Sequence, residues 1–218
     1  MESREHIVAL LGDVVGSRGH PDPARRRRLV ADALSRANDR LAPTQPLTPT
    51  IGDEFQGLFA DLVSALEATL VVRLALLGEV DVRFGIGSGP VVTFEASRAP
   101  FDQDGPAWWS AREAVDHVRD VSQRQESPRG VRTRWVDAGG ERPFVVAAVN
   151  AFVQCRDELV AAMDPRDAAA MLGLLADEPL TRIAEAEGVS ASALSQRAIR
   201  GGLYAIRRAQ AELRETVA

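Results

Sequence analysis

The chain has 218 residues, 45% hydrophobic and 26% charged, the profile of a globular protein with room for one medium domain and a small one. No apolar run approaches the roughly 20 residues that span a bilayer. Met1–His6 carries no basic stretch ahead of a greasy one, and the single cysteine, Cys155, makes neither an internal disulfide nor a Cys-rich metal site, so a cytoplasmic location is expected. All 26 basic residues are arginine, which excludes lysine-dependent chemistry, and the net charge of −5 argues against wholesale coating of nucleic acid while allowing a local basic patch.

His6 to Leu11 is a short apolar run ending at Gly12-Asp13, the pattern of a buried strand. After turn residues 16–23, Ala24 to Leu41 has helical spacing, with Leu29, Val30, Ala33, Leu34, Ala37 and Leu41 on one face. Arg25 to Arg28 fall on its first turns and read as a solvated face, with phosphate contact as the alternative. Pro43, Pro46 and Pro49 break the chain. Thr48–Ile51 and Phe55–Phe59 then predict a hairpin around Gly52-Asp53-Glu54. Leu62–Leu77 predicts an amphipathic helix, Val80–Ile86 an alternating strand, and Val91–Phe94 a further short strand after Gly87-Ser88-Gly89-Pro90. Ala107–Val121 is a helix, Gln123–Arg132 a polar loop, Arg132–Val136 a short strand and Phe144–Met163 a long helix. The order gives a fold class of α+β, a ferredoxin-like βαββαβ palm.

Two aspartates stand out. Asp13 follows an apolar strand and Asp53 sits at the hairpin tip. A carboxylate at the end of a buried strand is costly unless paired or bound to a cation. Two of them on adjacent strands suit Mg²⁺ or Mn²⁺, hard cations that take oxygen ligands. The alternative is that each caps a Gly-Asp turn.

Gly12-Asp13-Val14-Val15-Gly16-Ser17 resembles the Asp-Ile-Val-Gly-Phe-Thr motif of class III adenylyl and guanylyl cyclases, in which the Asp is a metal ligand. Ile51-Gly52-Asp53-Glu54-Phe55 looks like their Gly-Asp hairpin and equally resembles the Gly-Gly-Asp-Glu-Phe signature of diguanylate cyclases. Val82-Arg83-Phe84-Gly85-Ile86-Gly87-Ser88-Gly89-Pro90-Val91 is similar to a third cyclase strand. With Asp104-Gly105-Pro106-Ala107 and Ala111-Arg112-Glu113-Ala114, the chain as a whole resembles the SatD family. The cyclase resemblance implies metal ligation by Asp13 and Asp53 and purine nucleotide binding by Val14, Gly16, Ser17, Gly52, Asp102, Trp108 and Arg112, with Arg112 the one catalytic candidate. It also implies a homodimer. The expected transition-state Asn falls on Trp108 or Trp109, and the base-selecting Lys has no counterpart. Loss of such an electrostatic stabiliser typically lowers rate by ~10²–10³. Trp108 and Trp109 are either core or stacking residues, and at most one faces a ligand because neighbours on a helix point about 100° apart. Arg83 and Arg112 suit either phosphate contact or a structural salt bridge.

Asp167–Ala176 predicts a helix, and Leu180 to Ser190 then has helix-turn-helix spacing, with small Ala184, left-handed Gly188 and apolar Val189. Ser190 or Ser192 caps a second helix that buries Leu194, Ala198 and Ile199. Its Ser192, Ser195, Gln196, Arg197 and Arg200 form a candidate DNA-reading face. The expected organisation is a palm over residues 1–145 and a helical region over 146–218, with the helix-turn-helix at about 167–202. Three functions follow: a nucleotide-responsive DNA-binding regulator, a metal-dependent nucleotidyl cyclase or other NTP-processing enzyme, and a non-catalytic interaction module.

Overall fold

The structure is a computed structural model that describes residues 7–16, 22–50, 52–95, 102–124 and 130–216. Its first six elements are β1 (Ile7–Val14), α1 (Pro23–Leu41), β2 (Gln45–Pro49), β3 (Glu54–Phe59), α2 (Leu62–Leu76) and β4 (Val82–Gly89). They form the expected βαββαβ unit. β5 (Val92–Glu95) and β6 (Asp102–Asp104) pair as a separate two-stranded ribbon, followed by α3 (Pro106–Ser122) and β7 (Thr133–Asp137). Five strands make one sheet in the order β2-β3-β1-β4-β7, antiparallel except for the parallel β4–β7 pair. A mixed α/β architecture results.

The prolines at 46 and 49 lie within β2 rather than ending it. β2 is an edge strand, where a missing N–H removes no ladder bond. β4 runs on through Gly87 to Gly89, past the expected end at Ile86. α1 begins with Asp22 accepting from Arg25 N and ends where Ala42 turns left-handed. α2 is not amphipathic. It is buried on nearly every side, including Glu67, Thr69 and Arg73, because the sheet covers one side and the C-terminal helices another.

One face of the sheet packs Val8, Leu10, Phe55, Phe59, Phe84 and Ile86 against α1 and α2, with Phe55 and Phe84 meeting edge to face at 6.0 Å. The other face carries Ala9, Leu11 and Leu58 and is roofed by Ala107, Trp108 and Ala111 of α3. A fourth helix, α4 (Pro143–Ala161), lies against β7. Asn150 donates to the Trp135 carbonyl and accepts from the Trp135 N–H, both at 2.9 Å, and so satisfies the free edge of the sheet as a strand would.

The remaining helices are α5 (Pro165–Leu175), α6 (Leu180–Glu187), α7 (Ala191–Arg200) and α8 (Leu203–Arg214). Their Met171, Leu174, Ile183, Leu194, Ala198, Leu203 and Ile206 belong to the same apolar cluster as α1 and α2. Glu67 of α2, 1% exposed, accepts from Arg40 of α1 and Arg214 of α8, each through Nε at 2.7 Å. Arg40 also donates to the Leu175 carbonyl at the end of α5. Among the described residues no helix is long and apolar enough to cross a membrane.

Candidate functional site

Strand alternation builds the site. Ala9, Leu11 and Asp13 point to the α3 side of β1, and Leu58, Gln56 and Glu54 do the same on β3. Register places Asp13 opposite both Glu54 and Arg83, and Leu11 opposite Gln56 and Gly85. Charged side chains thus form one row and the Leu11–Gln56 pair the next, about 7 Å away along the strand. On α3, Trp108, Arg112, Val115 and Arg119 recur at i, i+4, i+7 and i+11, so one helix stripe runs above both rows.

α3 sits low because β4 offers it glycines at 85 and 87. A Cβ on Gly85 or on Gly87 would lie 2.1 Å from an α3 carbonyl oxygen, that of Ala111 or Ala107 respectively. On the opposite face, Gly12 lets the Phe55 ring lie across β1.

In the charged row, Arg83 donates to Asp13 at 3.0 Å, and Arg119 reaches the same carboxylate at 3.4 Å while pairing with Asp116 at 3.1 Å. Arg112 grips Glu54 with two bonds of 2.6 and 2.8 Å. That contact holds the Glu54 carboxyl below its usual range, despite the opposing effect of burial, and raises the Arg112 guanidinium. Arg26 reaches from α1 to Asp53 at 2.7 Å. It is buried, in contrast to the solvated face read for Arg25–Arg28; Arg25 pairs with Glu79. The structure therefore makes salt bridges of Arg83 and Arg112.

The second row opens into a groove of about 430 Å³ lined by Leu11, Gln56, Gln103, Trp108, Trp109 and Arg112. Trp108 is 9% exposed and Trp109 62%. The two neighbours divide the roles: Trp108 joins the core, and Trp109 stands at the mouth with its Nε1 held by Asp104 at 2.6 Å. The Trp108 Nε1 and Gln103 Oε1 are buried and find no hydrogen-bond partner in the protein, and neither does the Arg83 Nε. An unpaired buried donor or acceptor costs about 1–3 kcal/mol.

Of the other expected nucleotide residues, Val14 is buried and its N–H donates to the Asp53 carbonyl at 3.1 Å, so the end of β1 and the hairpin tip are adjacent. Gly16 and Gly52 adopt the left-handed φ values of 67° and 80° that favour glycine. Ser17 and the side chain of Asp102 lie outside the described residues. Glu54, Gln56, Gln103 and Arg119 had no role in the sequence reading. The helical spacing Trp108–Arg112–Arg119 was the available signal for the last.

The donor set does not fit a resident Mg²⁺ or Mn²⁺. Asp13 is neutralised by two guanidinium groups and Asp53 by one, and among the described residues no three His, Cys, Asp or Glu side chains gather where they could hold one ion. A hard cation needs carboxylate oxygens that are not already spoken for.

In the C-terminal helices, Gly188 at φ 68° makes the turn between α6 and α7, and the Ser190 hydroxyl accepts from Ala193 N at 3.1 Å; Ser190, not Ser192, is the cap. Two expectations fail here. Ile199 is 66% exposed, because its direction diverges from the Leu194–Ala198 stripe. Arg197 is not presented outward. It pairs with Asp167 at 2.9 Å and Glu187 at 2.5 Å, fastening α7 to α5 and α6. Ser192, Gln196 and Arg200 are exposed, and Ser195 is half-buried, facing the Tyr204 hydroxyl.

The SatD family model matches residues 7–214. The chain belongs to the SatD family. No curated protein sequence matches this SatD member. Among solved structures it is similar to a bacterial light-regulated adenylyl cyclase, at 15% identity over 64% of this chain and 79% of that one, with a TM-score of 0.44. The guanylate cyclase domain of RhGC from Catenaria anguillulae in complex with GTP matches at 14% identity over 53% and 75%, TM-score 0.42. The adenylyl cyclase CyaB from P. aeruginosa matches at 19% over 51% and 72%, TM-score 0.40.

Proposed function

We propose that this SatD-family chain binds a purine nucleotide between its sheet and α3. The base lies against Trp109 and reaches the Trp108 N–H and the Gln103 oxygen. The phosphate points toward Arg83, Arg112 and Arg119. One observation carries the reading: an orphaned donor and an orphaned acceptor line a groove of nucleobase size, one strand repeat from a row of arginines. The Watson–Crick edge of every nucleobase offers an acceptor beside a donor, and stacking on an indole adds about 1–3 kcal/mol. Calorimetric titration with adenine and guanine nucleotides tests it. Saturable binding that falls at least tenfold in Trp108→Phe, which keeps the ring and removes the N–H, supports the assignment. Equal binding by that variant refutes it.

A second reading concerns α7, where the exposed Gln196 and Arg200, beside Ser192, favour DNA as a partner. The C-terminal segment from Asp164 to Glu215 holds seven arginines and eight carboxylates, so phosphate attraction contributes little and base-edge contacts must supply the affinity. The reading includes a homodimer, the usual state of operator-binding helix-turn-helix proteins. Selection from random duplexes at low salt, repeated with Gln196→Ala, tests it; an enriched sequence that the variant ignores supports it. Nucleotide that leaves the DNA affinity unchanged would separate the two activities.

A further inference from the structure

We infer that the ligand of this site carries a single phosphoryl group and binds without a divalent cation, with guanidinium groups in the place of metal ions. The inference rests on the nucleotide reading above and narrows it.

Charge balance is the first reason. Arg26, Arg83, Arg112 and Arg119 face Asp13, Asp53, Glu54 and, through Arg119, Asp116. The cluster is neutral, and each carboxylate already has a cationic partner. A phosphate monoester brings about −1.5 to −2 charges at pH 7. A triphosphate adds two further anionic groups beside four carboxylates with no positive charge in reserve.

The second reason is which donors can change partner. Arg83 already holds Asp13 at 3.0 Å, and its buried Nε–H has no acceptor. Arg119 makes the longest contact in the row, 3.4 Å to the same carboxylate, and is more than one-third exposed. A phosphoryl oxygen that accepts from the Arg83 Nε and draws Arg119 away from Asp13 satisfies an orphaned donor and leaves Asp13 paired. A cation bound at Asp13 would have to displace both arginines. Arg112 stays on Glu54, where two short bonds fix it.

The third reason is reach. The groove and the charged row are separated by one strand repeat, about 7 Å. That span takes a base, a sugar and one phosphoryl group.

The experiment is a titration followed by tryptophan fluorescence and calorimetry, using the 5′-monophosphates, the 3′,5′-cyclic phosphates and the 5′-triphosphates of adenosine and guanosine. Each is run in EDTA and in excess Mg²⁺. At least one single-phosphoryl nucleotide should bind with a Kd that agrees within twofold between the two conditions. It should bind at least tenfold more tightly than the matching triphosphate. Arg119→Ala, at a partly exposed position, should weaken it at least tenfold with an unchanged melting temperature, whereas Arg27→Ala, on an exposed position of α1, should not. Binding that EDTA abolishes, or tighter binding of ATP or GTP with Mg²⁺, overturns this inference and leaves the nucleotide reading standing. No binding of any nucleotide in either condition overturns both.

Discussion

Gly87→Ala isolates the geometry on which the site depends. The added Cβ would lie 2.1 Å from the Ala107 carbonyl oxygen and 2.3 Å from Ala111 N, where ordinary contact begins at 3.4 Å. Both obstacles are helix backbone, so no rotamer relieves them, and α3 must rise by more than an ångström along its N-terminal half. Overpacking of this kind typically costs about 1–3 kcal/mol. The upper end is expected here, because α3 makes its largest contact with β4 and Gly85 lies just as close. The same displacement lifts Trp108 from Leu11 and stretches the Arg112–Glu54 pair. Urea denaturation should show a lower midpoint at unchanged slope. Nucleotide titration of the still-folded variant should show affinity lost by tenfold or more. A stability change within about 0.5 kcal/mol, the ordinary range for an innocuous surface substitution, together with unchanged binding would refute the close-packing argument.

Other consequences are open to direct measurement. Replacing Arg40 and Arg214 together by Ala leaves Glu67 as an unpaired buried charge, and a loss of about 3–5 kcal/mol is expected by thermal or urea unfolding; Glu67→Gln on that background should recover most of it. Glu54 has a carboxyl pKa lowered by Arg112, so its stabilisation is present above the ordinary value of 4.5 and is lost as pH falls below it toward the folded value; Glu54→Gln should flatten that acid limb in a pH series of unfolding midpoints. His117, whose pKa is lowered by burial and then by Arg134 and Arg124, acts in the same direction from a higher starting point: the folded state disfavours its charged form, stability declines as pH falls below 6.5, and His117→Gln should remove that step. Gly188→Val forces a β-branched residue into a left-handed turn at φ 68°, and a loss of at least about 1–2 kcal/mol is expected by the same unfolding measurement.

Much of the palm was legible because its signals are local. Apolar runs, Gly-Asp turns and the Pro and Asp residues ahead of α1 mark strand and helix ends without reference to the rest of the chain. The paired aspartates were visible for the same reason. Their partners were not, since Arg26, Arg83 and Arg119 come from three different elements and only the tertiary fold brings them to Asp13 and Asp53. Composition alone made Arg25–Arg28 look like a solvated face, and nothing in a run of four arginines says which one points inward. α2 misled for a related reason. It was read as amphipathic, yet its polar residues are buried and paired: Glu67 with Arg214 of α8, Thr69 with the Leu66 carbonyl and Arg73 with the Gly130 carbonyl. Arg197 was equally ambiguous, because the residue next to the exposed Gln196 can belong to an inward-facing ion pair.

α1 connects the two halves of this picture. Its Arg26 closes on Asp53 at the edge of the proposed nucleotide site, and its Arg40 closes on Glu67 and the end of α5. Fourteen residues of helix separate them, about 21 Å at 1.5 Å per residue. Neither end is a solvent-exposed pair that water screens to near zero, since Arg26 and Glu67 are both buried. α1 is thus held by ion pairs at both ends and packed on α2 between them. The physical contact between the palm and the C-terminal helices therefore combines the shared apolar cluster with a charged junction, Arg40–Glu67–Arg214, that lines no part of the groove proposed for the nucleotide.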